Sequence, residues 1–242
     1  MKILFGLVLV CLSSFAIGAD DLTLLTAKTS GSTTQYSTNL QVIVLMTVLT
    51  LLPSILLMMT SFVRILIVLS ILRQAIGLGQ TPPNMVLVGM SLFLTFFIMS
   101  PVLDETYVKG VKPFLDAKIE APVALEEGSK PIKSFMLKNT REEDLRLFME
   151  ISKKKADSSQ NIPLTTLVPA FITSELKSAF TIGFLLYIPF IVIDLIVASV
   201  LMSLGMMMLS PMMIALPLKL LVFVLVDGWS MIMGSLASSF QV

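Results

Sequence analysis

Apolar and polar residues alternate along this chain in long blocks. Four blocks are almost entirely apolar: residues 41–72, 84–103, 180–204 and 212–236. Each is at least as long as the run of about 18–20 apolar residues that a membrane-spanning helix needs. The pattern predicts an all-α integral membrane protein. In it, two apolar helical hairpins, residues 41–103 and 181–242, flank a hydrophilic helical segment at residues 104–180.

The first apolar block is too long for a single straight crossing. As one helix its 32 residues would measure about 48 Å at 1.5 Å per residue, against a hydrocarbon core of about 30 Å. We expect this helix to tilt or to kink at Pro53, because proline removes a backbone hydrogen bond. Arg64 and Arg73 bracket its last part, and short cytoplasmic loops favour basic residues. That end is therefore predicted to be cytoplasmic.

The hydrophilic segment, residues 104–180, carries most of the charge. Twelve of the 17 Lys and Arg residues and 12 of the 16 Asp and Glu residues lie in this part of the chain. Alternation of the spans predicts that the segment is extracytoplasmic. Within it, Thr140 and Glu143 form a capping-box pattern that predicts the start of a helix. A mostly apolar stripe at helical spacing follows, made of Leu145, Phe148, Met149 and Ser152.

The N-terminus has the pattern of a secretory signal peptide. Lys2 supplies a positive start, residues 3–12 are apolar, and small residues follow up to Ala19. The alternative is a short fifth span, but that requires about 18 apolar residues and this run is shorter. We predict a signal peptide at residues 1–19 and a flexible exported tail, rich in Ser and Thr, at residues 20–40.

Composition narrows the classes of function. The 242-residue chain is 55% hydrophobic with a mean hydropathy of +0.92, unlike an average soluble domain. A net charge of +1 leaves no basic excess to neutralise phosphates, so nucleic acid is not an expected partner. Histidine, the commonest metal ligand and general base, is absent, and the only cysteine, Cys11, would leave with the signal peptide. We predict no enzymatic activity and no cofactor.

Three charged residues stand inside the last two apolar blocks: Asp194, Lys219 and Asp227. A charge at membrane depth costs roughly 2.5–3.5 kcal/mol on insertion scales, so it usually faces protein or water and marks function. If the two blocks fold back on each other, Lys219 comes within about one helical turn of Asp194, and an ion pair is feasible. Alternatively, each charge meets another subunit or a wet lumen.

The lone carboxylate Asp194 allows two functional hypotheses. It can serve as an assembly contact, which we favour, or as a proton relay in an ion-coupled membrane transporter. An intramembrane protease would need two aspartates at one site, and Asp227 lies beyond the level of Asp194 in the folded-back pair. Catalysis is therefore not expected.

Methionines cluster between the last two apolar blocks. Six of them fall within twelve positions: Met202, Met206, Met207, Met208, Met212 and Met213. Methionine is flexible and polarizable, so it closes around variable shapes. If several copies surround an axis, the three consecutive methionines of each copy, residues 206–208, form a deformable ring that seals against ions yet yields to an unfolded chain. The alternative is that they only fill an apolar face.

Two long stretches resemble the signatures of a known family. PAFITSELKSAFTIGF, residues 169–184, and PFIVIDLIVASVLMSLGM, residues 189–206, are similar to two signatures of the flagellar biosynthetic protein FliP family. LTLLPSILLMMTSFVRILIVLSILRQAIGLGQTPPN, starting at residue 49, and LPLKLLVFVLVDGW, ending at residue 229, also fit that family. The first signature includes Glu175, Lys177 and Phe180, which we take as its candidate site residues.

The resemblance implies a subunit of the flagellar type III protein export gate, in the bacterial inner membrane at the flagellar basal body. In that family several copies assemble helically with FliQ and FliR, FlhB associates with them, and unfolded proteins pass through the channel. The family's methionine-rich loop acts as a gasket, a role that falls here on Met206, Met207 and Met208. The family assembly also sits largely above the bilayer plane, which implies hairpins that do not cross lipid once assembled.

Overall fold

The computed structural model describes residues 37–152, 162–206 and 210–241, and the elements within them are all helical. The predicted signal peptide and most of the predicted tail lie outside the described residues, as do Met207 and Met208. The elements are α1 (Ser37–Met58), α2 (Phe62–Ile76), α3 (Asn84–Thr106), a π-helical turn (Tyr107–Val111), α4 (Lys112–Leu115), α5 (Ala121–Asn139), α6 (Glu142–Ser152), α7 (Leu164–Ser203), α8 (Pro211–Leu225) and α9 (Gly228–Ser238). The predicted all-α class is confirmed.

The chain divides into two compact units, residues 1–51 and 52–242. Most of α1 belongs to the first unit, where large apolar side chains between Ile43 and Leu51 are about half exposed. The helix begins at Ser37, so the last four residues predicted as tail are helical. The remaining helices belong to the second unit.

The break in the first apolar block lies after Pro53. Pro53 is inside α1, which continues to Met58. The chain turns at the next three residues, where the Thr60 hydroxyl donates to the Leu57 carbonyl at 2.7 Å and accepts from the Phe62 amide at 3.3 Å. Threonine hydroxyls compete in this way for backbone partners and end helices. The helix is thus continuous through Pro53, and the bend of 73° lies after Met58.

Two helices are long and apolar enough to cross a membrane, Asn84–Leu115 and Leu164–Ser203. Two further pairs pass the same test only together, because each is bent at a short break: Leu45–Met58 with Phe62–Ile76, and Pro211–Leu225 with Gly228–Ser238. By length and composition the described residues therefore contain two to four spans. The four predicted blocks all lie in these regions, but the first and the last are broken helices.

The predicted boundaries of the hydrophilic segment fall inside helices. The helix that starts at Asn84 continues past residue 103 through the π-helical turn to Leu115. Helix α7 is one continuous 40-residue helix across the predicted boundary at residues 180 and 181. The predicted boundaries lie where the density of charged residues changes. A helix does not end there, because packing against neighbouring helices stabilises it on both sides of the boundary.

The core forms where α2 lies along α7. Ile65, Val68 and Leu69 of α2 are completely buried, as is Phe171 of α7. Gly183 of α7 faces Ile71 of α2 so closely that a side chain at position 183 would overlap it. Small residues permit such close approach of helices.

Helices α7 and α8 form an antiparallel hairpin. Near the turn, Val197 and Leu201 pack against Ala215. Further from the turn, the Phe190 and Phe223 rings lie 6.5 Å apart. The chain leaves α7 through Gly205, whose φ of 74° suits a residue without a Cβ.

Helix α6 lies against α7 and begins differently from the prediction. The Thr140 hydroxyl donates back to the Met136 carbonyl at 2.6 Å and so ends α5, and it does not cap α6. The predicted capping box is therefore wrong. Leu145, Phe148 and Met149 are half-buried, as the predicted stripe required, and Asp144 beside them is buried.

Candidate functional site

The structure brings Asp194 and Lys219 together across the α7–α8 hairpin. Lys219 Nζ donates to Asp194 Oδ2 at 2.7 Å and to the Ala75 carbonyl of α2 at 3.1 Å. The Lys219 side chain is only 7% exposed, whereas that of Asp194 is 41% exposed. The Lys219 ammonium is therefore buried and hydrogen-bonded to both α2 and α7. The Asp194 carboxylate lies at the surface of the chain. Whether the pair serves assembly stays a prediction.

Asp227 does not join this pair. It lies at the break between α8 and α9, is exposed, and has a left-handed backbone conformation with φ of 49°. Among the described residues, no hydrogen bond or ion pair links it to Asp194 or Lys219. The two aspartates therefore do not form the shared-proton arrangement that an aspartic protease requires.

A second ion pair is buried near the start of α7. Arg64 Nε donates to Glu175 Oε2 at 2.8 Å, and the guanidinium also contacts Oε1. The same guanidinium donates to the Ser239 carbonyl at 2.9 Å and lies 3.9 Å from the centre of the Phe240 ring. Both charged residues are buried. Bidentate pairing with further hydrogen bonds is the geometry that makes two buried charges tolerable.

The third charged contact of α7 joins the hydrophilic segment. Lys177 binds Asp144 of α6 in an ion pair, in which the lysine is half exposed and the aspartate is buried. The Arg141 amide donates to the Ser174 hydroxyl at 2.9 Å beside it. Phe180, the third signature position, is exposed. Glu175 and Lys177 thus position helices, whereas Phe180 belongs to an unpartnered apolar face.

Sequence reasoning missed the partners Arg64 and Asp144. Arg64 was visible as the only charge in the first apolar block, and a buried charge needs an opposite charge. That rule predicts that Arg64 has a partner but does not identify the residue. Glu175 is 111 positions away in the sequence. Asp144 lies in the first turn of α6, where carboxylates are common, so its local sequence does not distinguish it from the exposed Glu142 and Glu143.

We call the described residues next to the connection between α7 and α8, residues 202–206 and 210–213, the methionine-rich tip. Its described methionines are exposed: Met202, Met206, Met212 and Met213. Met213 is 76% exposed, although methionine is commonly buried. Met207 and Met208 lie outside the described residues. A run of exposed thioethers at one end of a hairpin is available for contact with other chains.

The described residues offer no group of three or more carboxylate, histidine or cysteine ligands for a metal ion. Each charged side chain of α7 instead forms an ion pair with a residue of another helix. Each ion pair joins α7 to a different helix. The arrangement therefore suits a structural role, in which the helices are held together and their exposed faces contact other chains.

Replacing Asp194 with alanine is expected to lower the free energy of unfolding by about 1–2 kcal/mol. The substitution leaves the buried Lys219 ammonium with only the Ala75 carbonyl. Thermal unfolding of the purified full chain would measure the change. We also expect less assembled complex on native gels, with Asp227→Asn as the control, because Asp227 is exposed and unpaired with these residues and asparagine tolerates its left-handed backbone. Normal assembly with a loss of proton flux would favour the transporter hypothesis instead.

Apolar helices of spanning length, exposed apolar faces and paired charges inside them define an all-α membrane protein. The FliP family model matches residues 45–236, most of the chain. The chain belongs to the FliP family of flagellar biosynthetic proteins.

Relatives from distant bacteria support this assignment. The chain is 55% identical over 208 residues to the flagellar biosynthetic protein FliP of Cereibacter sphaeroides, covering 86% of this chain and 69% of that protein. The FliP protein of Pectobacterium carotovorum subsp. carotovorum is 54% identical over 206 residues, 85% and 80% of the two chains. That of Bacillus subtilis is 53% identical over 205 residues, 84% and 93% of the two chains.

Proposed function

We propose that this chain is a core subunit of the flagellar type III protein export gate, lining the channel through which unfolded flagellar proteins pass. Its membership of the FliP family supports a role in flagellar biosynthesis. The observation that carries the channel role is the exposed methionine-rich tip at the end of a braced hairpin. The proposed location is the bacterial inner membrane at the flagellar basal body.

The exposed faces of the hairpin support assembly with other subunits. Large apolar side chains of α7 and α8 are more than half exposed, including Phe184, Leu195, Leu221 and Val224. Large apolar side chains exposed in such number mark contact with protein or lipid. We propose that several copies of this chain, with FliQ, FliR and FlhB type proteins, cover these faces.

The gasket role belongs to Met206, Met207 and Met208 in this proposal. The Asp194–Lys219 pair and the Phe190–Phe223 contact stiffen the hairpin below the tip. Gly205, in a left-handed conformation, ends α7 just before the three methionines. Flexible thioether side chains on a stiff support can close a conduit without recognising one particular sequence. They would exclude water and ions by forming an apolar constriction.

Replacing Met206, Met207 and Met208 together with serine is expected to raise ion leak through the assembled gate several-fold, because a polar ring stays hydrated. The measurement is membrane potential in cells that express the gate proteins, with complex abundance checked on native gels. The matched control replaces three exposed methionines elsewhere with serine: Met46, Met58 and Met231. An assembled complex whose conductance is unchanged by the tip substitutions would refute the sealing role.

A further inference from the structure

A polar cavity lies between the end of α2 and the start of α3. Arg73, Gln80, Pro83 and Asn84 line it, and its volume is about 490 Å³. Ligand-binding cavities range over about 300–1,000 Å³. We call it the Arg73 cavity. None of its lining residues belongs to the ion pairs or to the methionine-rich tip.

The charge of Arg73 has no carboxylate partner in the part of the chain that the structure describes. Its Nη1 donates to the Asn84 side-chain oxygen at 2.7 Å and to the Pro82 carbonyl at 3.1 Å, which are both neutral acceptors. Its Nε is buried and has no acceptor. Because an atom without accessible surface cannot touch a ligand in the cavity, the donor left for one is Nη2, which has no partner among the described residues. By contrast, Arg64 has a bidentate carboxylate.

The lining is suited to an anion. The guanidinium and the two carboxamides of Gln80 and Asn84 supply N–H donors, and no acidic residue lines the cavity. Because Asn84 turns its oxygen toward Arg73, its amide nitrogen remains as a donor. Guanidinium groups match the oxygens of phosphate in paired hydrogen bonds.

We infer that the Arg73 cavity binds a phosphate group. Two apolar side chains at the start of α3, Met85 and Val86, are exposed, and Met85 is 86% exposed. A phospholipid would place its phosphate on Arg73 and its acyl chains along Met85 and Val86. Free inorganic phosphate offers the same chemistry without the acyl chains. This inference does not depend on the channel role.

The simpler account is that Arg73 only complements the negative end of the α2 dipole, since it lies in the last turn of that helix. That account requires no ligand at Nη2, and it predicts that no phosphate binds. The two accounts therefore differ in a measurable way.

The test compares two lipids that differ only in the headgroup. The full chain, purified in detergent, is incubated with phosphatidylglycerol or with diacylglycerol of the same acyl chains, and retained lipid is counted by native mass spectrometry. Phosphatidylglycerol should be retained preferentially, and Arg73→Gln should weaken its binding by about tenfold, as expected for loss of one charged hydrogen-bonding partner. Arg146→Gln is the matched control, because Arg146 is an exposed arginine paired with Glu142.

If the Arg73→Gln variant does not fold, the Asn84→Asp variant provides a second test of the same site. This substitution places a carboxylate at the position that already accepts from Arg73, so it should satisfy the guanidinium, preserve the melting temperature and still reduce phosphate binding. Displacement of the lipid by millimolar inorganic phosphate supports the site and identifies free phosphate as its ligand. Equal retention of the two lipids without such displacement, or unchanged retention in both cavity variants, would overturn the inference.

Discussion

Replacing Glu175 with alanine is expected to lower the free energy of unfolding by about 3–5 kcal/mol, because it leaves a buried charge uncompensated. The Arg64 guanidinium would keep only the Ser239 oxygens and the face of the Phe240 ring. These neutral partners do not replace a bidentate carboxylate. Thermal or denaturant unfolding of the purified full chain would measure the loss.

Two controls separate this effect from lost packing. The double variant Arg64→Met with Glu175→Leu should be less destabilised than Glu175→Ala, because well-packed apolar residues remove the desolvation penalty of both charges. Glu127→Ala should change stability by less than about 1 kcal/mol, since its partner Lys130 is exposed. If Glu175→Ala melts like the unsubstituted chain, the Arg64–Glu175 pair does not stabilise the fold.

Replacing Gly110 with alanine is expected to destabilise the chain by about 3 kcal/mol, at the upper end of the usual range for overpacking. The added Cβ would lie 2.7 Å from the Gly128 Cα and 2.8 Å from the Ala124 carbonyl oxygen. Both are backbone atoms of α5, so no rotation of a side chain relieves the overlap. The π-helical turn and α5 would have to move apart, which a lower melting temperature would report.

The same contact provides a nearby control. A Cβ at Gly128 would lie 3.5 Å from the Gly110 Cα, which is an ordinary van der Waals distance, so Gly128→Ala should be much milder. Gly89→Ala should stabilise α3 by about 0.5–1 kcal/mol, because its Cβ meets nothing within 4 Å and alanine favours helix. Equal losses for Gly110→Ala and Gly128→Ala would show that the close approach does not limit stability.

Helix α7 links the apolar hairpin to the hydrophilic segment. One residue of each of three ion pairs lies on it: Glu175 with Arg64, Lys177 with Asp144, and Asp194 with Lys219. The three partners lie on α2, α6 and α8. Because α7 is continuous, a displacement at the methionine-rich tip would act on the same helix that carries the buried Arg64–Glu175 pair. We regard this as the structural basis of the proposed gate.

Sequence reasoning anticipated the Asp194–Lys219 pair for a simple reason. The two residues lie on consecutive apolar blocks joined by a short turn, so folding back places them at a similar height. Helical periodicity and turn length decide such a contact, and both are local properties. The half-buried stripe of α6 was predictable on the same grounds.

The sequence by itself determined that this chain is helical and suited to a membrane, where its apolar blocks lie, and which charges stand inside them. Only the tertiary structure decided that α7 runs unbroken across the polar boundary, that the first block breaks after Met58, and that Arg64 meets Glu175. Hydrophobicity and helix periodicity are local properties, which a few helical turns of sequence are enough to define. Partners 111 positions apart are selected by packing, since many polar groups can satisfy a buried charge and only the fold brings one of them within 3 Å.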